Sequence, residues 1–457
     1  MLMNQSTLKK DCIEQFCREY SKNNENIPWE YYEKNAVKRG LRNADGTGIM
    51  AGMTQIGSVQ GYYVQDGERV PMPGKLIYRG IDLDEMIDEF MRESRFGFEE
   101  TAYLLLFGNL PSVKQLDIFK GMLSSTRSLP NMFTEDVIIK APSSDVMNEL
   151  ERAVLALYSY DAQPEEISLA NQFRQSVELI ARVPVIVAHA FAAKRHYYNK
   201  ESLYLHHPQE DLSIAENFLY SIRHDNQYTD QEAKLLDLCL VLHAEHGGGN
   251  NSTFTCRVLS STGTDIYSAI AAAIGSLKGP RHGGANIKVV EMMNYIKEQV
   301  GDWKDDDEIR AVLQKLLDKE AGDRSGLIYG MGHAIYTRSD PRAVLLKKFG
   351  RETARMKGML EEFDLYEAVE RLAPNVISTN KGDRKTVCAN VDLYSGMVYQ
   401  MMSIPLDLYT PLFAIARMVG WCAHRIEELF QPGNRIIRPA YKAVVPMRTF
   451  VPLDQRG

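Results

Sequence analysis

SLANQFRQSVELIARVPVIVAHAFAAKR, residues 168–195, decides the class of fold. Its apolar residues recur at three-and-four spacing, the period of a helix packed on one face. The same pattern runs through FEETAYLLLFG (98–108), ELERAVLALYSYDA (149–162) and TDQEAKLLDLCLVLHAEHG (229–247). The first of these three reads as a capped helix ending at Gly108, with Pro111 starting the next element. The last has a plausible cap at Thr229/Asp230 and runs to the glycines 247–249. Strands do not alternate with helices, so a Rossmann or barrel architecture is excluded and an all-α chain, helix stacked on helix, is expected. One region has strand character: GSVQGYYVQDGERVPMPGKLIYRG, 57–80, is aromatic and β-branched between Gly and Pro, and too short to build a sheet domain.

Charge density divides the 457-residue chain further. Residues 290–390 are richer in charge than those before them, and apolar helix returns at MVYQMMSIPLDLYTPLFAIARMVGWCAHRIEEL, 397–429. The expected organisation is an N-terminal extension (1–50), a first large-domain part (51–289), a small domain (290–390), and a second large-domain part with a C-terminal arm (391–457). A cleft between two such units is the default place for a ligand.

The bulk numbers exclude several roles. A net charge of −7 argues against nonspecific binding to nucleic acid or to an anionic membrane. The six cysteines form no CxxC pair, which points to a reducing compartment. MLMNQSTLKKD has no apolar core of a secretory signal, and apolar runs such as IYSAIAAAIGSL (266–277) reach about a dozen residues, short of a bilayer. A cytoplasmic protein is expected.

Three histidine clusters abut glycines: HAEHGGGNNST (243–253), GPRHGGAN (279–286) and GMGHAIYTRSDPRA (330–343). Glycine lets backbone approach a bound group closely, so such histidines suit ligand-facing work, although an ordinary turn carries the same residues. His243 and His246, three apart, could share a helix face and hold a metal. No HExxH accompanies them, and bonding to substrate or backbone is the favoured alternative. Asp340-Pro341 is a good N-cap pair that places Arg342 in the first turn of a helix, where it suits a carboxylate or pairs with a surface acid. Asp392 precedes an apolar helix, as its cap or as a desolvated general base. Arg417 lies inside LYTPLFAIARMVGW (408–421) and must be paired or face a site. Arg435 and Arg438 follow in NRIIRPAY, 434–441. The inventory suits acid–base work on a multiply charged small acid.

From YRGIDL at 78 to NRIIRPAY the chain resembles citrate synthase, with FEETAYLLLFGNLP, HAEHGGGNNSTF, GPRHGGAN, GMGHAIYTRSDPRA, NVDLYSG and FAIARMVGWCAHRIEE in that family's order. The resemblance implies an almost wholly helical fold of a large and a small domain, with the active site in the interdomain cleft. It implies an acyltransferase of the tricarboxylic acid cycle, condensing acetyl-CoA with oxaloacetate and water to citrate and CoA, with no metal and no tightly bound cofactor. His282 matches the residue supporting the acetyl-CoA enol, His333 the one bonding the oxaloacetate carbonyl, and Asp392 the catalytic base. His246, Arg342, Arg417 and Arg438 match oxaloacetate-binding residues, Arg438 reaching into the neighbouring subunit's site of a homodimer or higher assembly. Lys381, Arg384 and Lys385 are expected partners of the CoA phosphates. The rival readings are a 2-methylcitrate synthase using propionyl-CoA and a non-catalytic helical scaffold. Three departures stand out: Arg281 where the family has a small or apolar residue, Ala334 where many relatives carry arginine, and CANVD in place of PNVD. No GxGxxG follows a strand, so nothing marks a dinucleotide regulatory site.

Overall fold

The structure, a computed structural model, describes residues 5–24, 26–43, 46–66, 68–381 and 387–456, with the side chains of 5–11, 64, 380 and 381 left aside. Its contacts divide into two units, residues 1–53 and 54–457. The first holds α1 (Gln5–Asn23) and α2 (Trp29–Lys34).

The second unit opens on an antiparallel sheet of β1 (Gly57–Gln65), β2 (Glu68–Tyr78) and β3 (Ile81–Asp82), joined through a tight hairpin pairing Gln65 with Glu68. This is the region whose residues read as strand. Helices follow: α3 (Leu83–Arg92), α4 (Phe98–Phe107), α5 (Val113–Thr126), α6 (Val146–Ala156) and α7 (Leu169–Asn199). Then come α8 (Ile214–Ile222), α9 (Asp230–His243), α10 (Asn251–Ser260), α11 (Ile266–Lys278) and α12 (Ala285–Gln299). The last are α13 (Asp306–Leu317), α14 (Pro341–Met356), α15 (Leu360–Lys381), α16 (Val391–Met401) and α17 (Tyr409–Phe430). The architecture is helix on helix, as expected.

Local chemistry explains most boundaries. Gly108 ends α4 with φ of 92°, a conformation that costs an L side chain but not glycine. Pro111 does not start the next helix. Ser112 does, through a capping box with Gln115 that satisfies two end groups at once. Thr229 and Glu232 make the same box at the head of α9.

The core is organised around α17, buried without a break from Tyr409 to Arg425 and packed on α4, α6, α7, α9, α10, α11 and α12. A helix apolar all round must sit inside others. The 31-residue α7 contradicts the expectation that apolar runs stay near a dozen residues. It is long and apolar enough, by length and composition, to cross a membrane. It is also mostly buried, against α5, α6, α8 and α17, and it accommodates Pro184 within its length. Toward the C-terminal half, α14 packs on α15 and α16, α12 on α16, and α13 on α15.

Candidate active site

Three loops, carrying His246, His282 and His333, and three helices, carrying Arg342, Asp392 and Arg417, bring the chemistry together. Helix α9 ends at His243, whose Nδ1–H donates to the Cys239 carbonyl at 2.8 Å. His246 therefore lies in the turn beyond, where Gly247 takes a φ of 84°, and the two histidines do not share a helix face. The metal-binding arrangement considered for them is not formed. Among the described residues no group of three His, Cys, Asp or Glu side chains is placed to hold a metal ion. His246 is buried, and its Nε2 has no hydrogen-bond partner. Burial, then the charge of Arg342, the His333 ring and the charge of Arg417, hold its pKa well below the usual imidazole value, so it is neutral.

His333 stands edge-on to His246, their ring centroids 5.2 Å apart, and stacks on Tyr336 at 4.5 Å. Its Nδ1 accepts the backbone N–H groups of Ile335 and Tyr336, each at 3.1 Å. A neutral imidazole that accepts at Nδ1 carries its proton on Nε2, so local backbone makes His333 a donor through that atom.

Asn390 joins this loop to the next group. Its Nδ2 donates to the Gly332 carbonyl at 2.8 Å and its Oδ1 accepts the Asp392 N–H at 3.0 Å, while the Asn390 N–H donates to the Gly330 carbonyl at 2.9 Å. Asn390 is thus the N-cap of α16, and Asp392 is the second residue inside the helix. That disposes of the capping role for Asp392. Burial pushes its carboxyl up to about 6, with Arg342 opposing and Asp340 adding to the rise.

The two central arginines differ. Asp340 caps α14 as expected, accepting the Arg342 N–H at 3.0 Å. It also grips the Arg342 guanidinium in a fork, Nε to Oδ1 at 3.0 Å and Nη2 to Oδ2 at 2.8 Å. Arg342 is therefore paired with a buried acid rather than a surface one, and only Nη1 lies outside the fork. Arg417 is 0% exposed; its Nε donates to the His243 carbonyl at 2.7 Å, and its guanidinium lies 4.8 Å from the Phe413 ring centroid. Both Nη atoms are buried without a partner. Burial lowers its pKa to about 10, with Glu245 opposing.

His282 faces the same Phe413, ring centroids 6.5 Å apart, from a loop tied to α17 by the Thr410 hydroxyl donating to the Gly283 carbonyl at 3.1 Å. Its Nε2 is 3.1 Å from Ser252 Oγ, which also takes the Trp421 indole N–H at 3.2 Å and lies 2.9 Å from Asn250 Oδ1. Burial, then Arg417, lower its pKa to about 4, so it too is neutral near pH 7.

The small sheet braces this cluster. A Cβ on Gly61 would come within 2.4 Å of the Ile335 carbonyl oxygen, and one on Gly74 within 2.2 Å of that of Ser339. Only glycine lets the hairpin lie so close to the segment after His333. Sequence reasoning passed over Ser252, Asn390, Tyr336, Phe413 and this buttress. Of these, Asn390 alone carried a local signal, as a good N-cap two residues before Asp392.

The other predicted residues stand apart. Arg438 is exposed beyond α17, where the Ile437 N–H is held by Ser261 Oγ at 3.1 Å, and a single chain does not bring it to the cluster. The side chain of Lys381, and Arg384 and Lys385 altogether, lie outside the described residues.

The chain as a whole is similar to known proteins. A family model described as "Citrate synthase, C-terminal domain" matches residues 44–440. The chain is 36% identical over 386 residues to citrate synthase 2 of Bacillus subtilis, covering 84% of this chain and 94% of that one. It is 33% identical to the 2-methylcitrate synthase of Shewanella oneidensis, covering 83% and 92%. Among solved structures, the citrate synthase of Thermoplasma acidophilum in ternary complex with carboxymethyl coenzyme A and oxaloacetate superposes with a TM-score of 0.74 at 26% identity, over 92% of this chain and 99% of that one.

Proposed function

The chain belongs to the citrate synthase family of acyltransferases, and from that premise we propose that it condenses acetyl-CoA with oxaloacetate through His282, His333 and Asp392. The observation that carries the site assignment is Arg417: a guanidinium shut away from water with Nη1 and Nη2 unpartnered is costly unless an anion completes it. An oxaloacetate carboxylate supplies that anion. His246, with its Nε2 unpartnered beside it, and Arg342 through Nη1 complete the cradle.

The thioester methyl is a very weak acid, so removal of its proton by Asp392 has to be coupled to stabilisation of the developing enol oxygen. His282 does this. Its Nε2 is engaged by Ser252, so the enol is bonded through Nδ1–H once the Ser252 hydroxyl, which donates to Asn250 Oδ1 in the free site, turns its proton to Nε2. Trp421 then serves as the donor to Ser252. The enol carbon attacks the oxaloacetate ketone carbon, whose oxygen is polarised by the Nε2–H of His333. The new C–C bond gives citryl-CoA, and water cleaves its thioester to citrate and the CoA thiol.

Residues 290–390 act as the small domain that closes over the substrates, excluding water until condensation is done. The enzyme works in the cytoplasm as a homodimer in which Arg438 completes the neighbouring site. Lys381, Arg384 and Lys385 hold CoA phosphates. Steady-state rates with oxaloacetate and either acetyl-CoA or propionyl-CoA test the assignment. A higher kcat/KM for acetyl-CoA is expected; a clear preference for propionyl-CoA makes the chain a 2-methylcitrate synthase, and no CoA release from either makes it a scaffold.

A further inference from the structure

The turn that carries His282 and the helix end before it carry two cations for which the condensation chemistry has no use. Gly279, Pro280, Arg281 and His282 form a β-turn, closed by the His282 N–H donating to the Gly279 carbonyl at 2.8 Å, with proline in its favoured second position. The Gly283 N–H donates to the Leu277 carbonyl at 2.8 Å and ties the turn to the end of α11. This bonding sends the two neighbours different ways. His282 goes in, to Ser252 and Phe413, while Arg281 stands at the apex and is exposed. Lys278, the last residue of α11, is half-buried just before it.

Among the described residues neither Lys278 nor Arg281 has an ion pair or a side-chain hydrogen bond. Lys288, a few residues on, does pair, with Glu291 at 2.7 Å. The whole chain carries −7, a field that repels a polyanion approaching from solvent, so a local pair of cations beside the site matters for such a ligand. The co-substrate of the proposed reaction is such a polyanion, its phosphates separated from the reacting thioester by a long flexible arm. A cation meant for those phosphates has to point away from the histidine that meets the thioester. The turn makes that separation.

We propose that Arg281, with Lys278 behind it, is a docking contact for the phosphate end of the thioester co-substrate, a positioning residue that sets KM for acetyl-CoA. The proposal rests on the citrate synthase reading. Its test compares acetyl-CoA with S-acetylpantetheine, which has the same reacting end and no phosphates. In Arg281→Gln, KM for acetyl-CoA should rise roughly twofold to fivefold, the scale of one partly solvated charge contact, and further in the double variant with Lys278→Gln. KM for oxaloacetate should not move, and kcat/KM for S-acetylpantetheine should match the wild type. Arg281→Lys should restore most of the loss, and added salt should erase the difference. An unchanged KM for acetyl-CoA, or an equal rise for both thioesters, overturns the proposal; the latter would mean that Arg281 acts on the loop of His282. Wild-type enzyme that releases no CoA from acetyl-CoA and oxaloacetate fails at the earlier step, and that result is distinct from both.

Discussion

Arg417 and Arg425 lie two turns apart on α17, each 0% exposed, and only one of them is finished. Arg425 spends its donors inside the protein: Nε on Gln172 Oε1 at 2.9 Å, Nη1 on Ser260 Oγ at 3.2 Å and Nη2 on the Thr264 carbonyl at 2.7 Å. Arg417 spends Nε on the His243 carbonyl and leaves both Nη groups bare. Burial alone therefore does not distinguish a structural arginine from a binding one. What distinguishes them is whether the fold provides acceptors, because a buried donor without one costs about 1–3 kcal/mol, more when charged.

Substitution separates the two roles. Arg417→Gln should lower kcat/KM for oxaloacetate by roughly three orders of magnitude, from losing a desolvated charge contact of about 2–5 kcal/mol. Its thermal midpoint should fall less than that of Arg425→Gln, since neither Nη group gives up a bond and the cost is confined to the charge that faces Glu245. A midpoint falling as far as that of an Arg425 variant would break the comparison. Asp392→Asn should reduce kcat by at least about two orders of magnitude, the scale of a positioned general base, with KM for oxaloacetate little changed. Asn390 still caps α16 in that variant, so the fold should persist, and a folded enzyme keeping more than about a tenth of wild-type kcat would remove the base assignment.

Arg425→Gln should do the reverse of Arg417→Gln. Stranding the acceptors of Gln172, Ser260 and Thr264 should cost about 2–4 kcal/mol by denaturant titration, while KM for oxaloacetate stays within about twofold. The smallest effect concerns pH. Asp392 must be ionised to take a proton and its carboxyl sits at about 6, so kcat/KM should be full above that value and fall tenfold per unit below it. His282, at about 4, stays neutral over the upper part of that limb and so does not set where it begins. The raised carboxyl also holds its proton in the folded protein after the unfolded chain has released it. Folding stability attributable to Asp392 thus declines as pH rises from about 4 to about 6, and Asp392→Asn should abolish that decline.

Helix period, the glycine stop at Gly108, the Thr229 cap and the Asp340-Pro341 start were legible because each depends on residues a few positions apart. The charge of Arg417 inside an apolar helix was legible as a problem, without its solution. Less legible were features set across the chain. The end of α9 at His243 left His246 off the helix, against its spacing. The aspartate of NVD looked like a cap until Asn390 took that place. The hairpin at 57–80 read as too short to build a sheet domain, which said nothing of its Gly61 and Gly74 lying against the segment after His333.

The sequence by itself determined the helical class, the identity of the chemical groups and, through ordered motifs, the family. These are local or additive properties: periodicity, capping and residue type do not depend on what lies opposite. Only the tertiary structure decided which groups are satisfied. It bound Arg342 to Asp340 and left Arg417 open, gave His333 its tautomer through two backbone N–H groups, and set Ser252 against His282. Proton position, charge and unmet hydrogen-bonding capacity are sums over neighbours distant in sequence, so they exist only once the chain has folded.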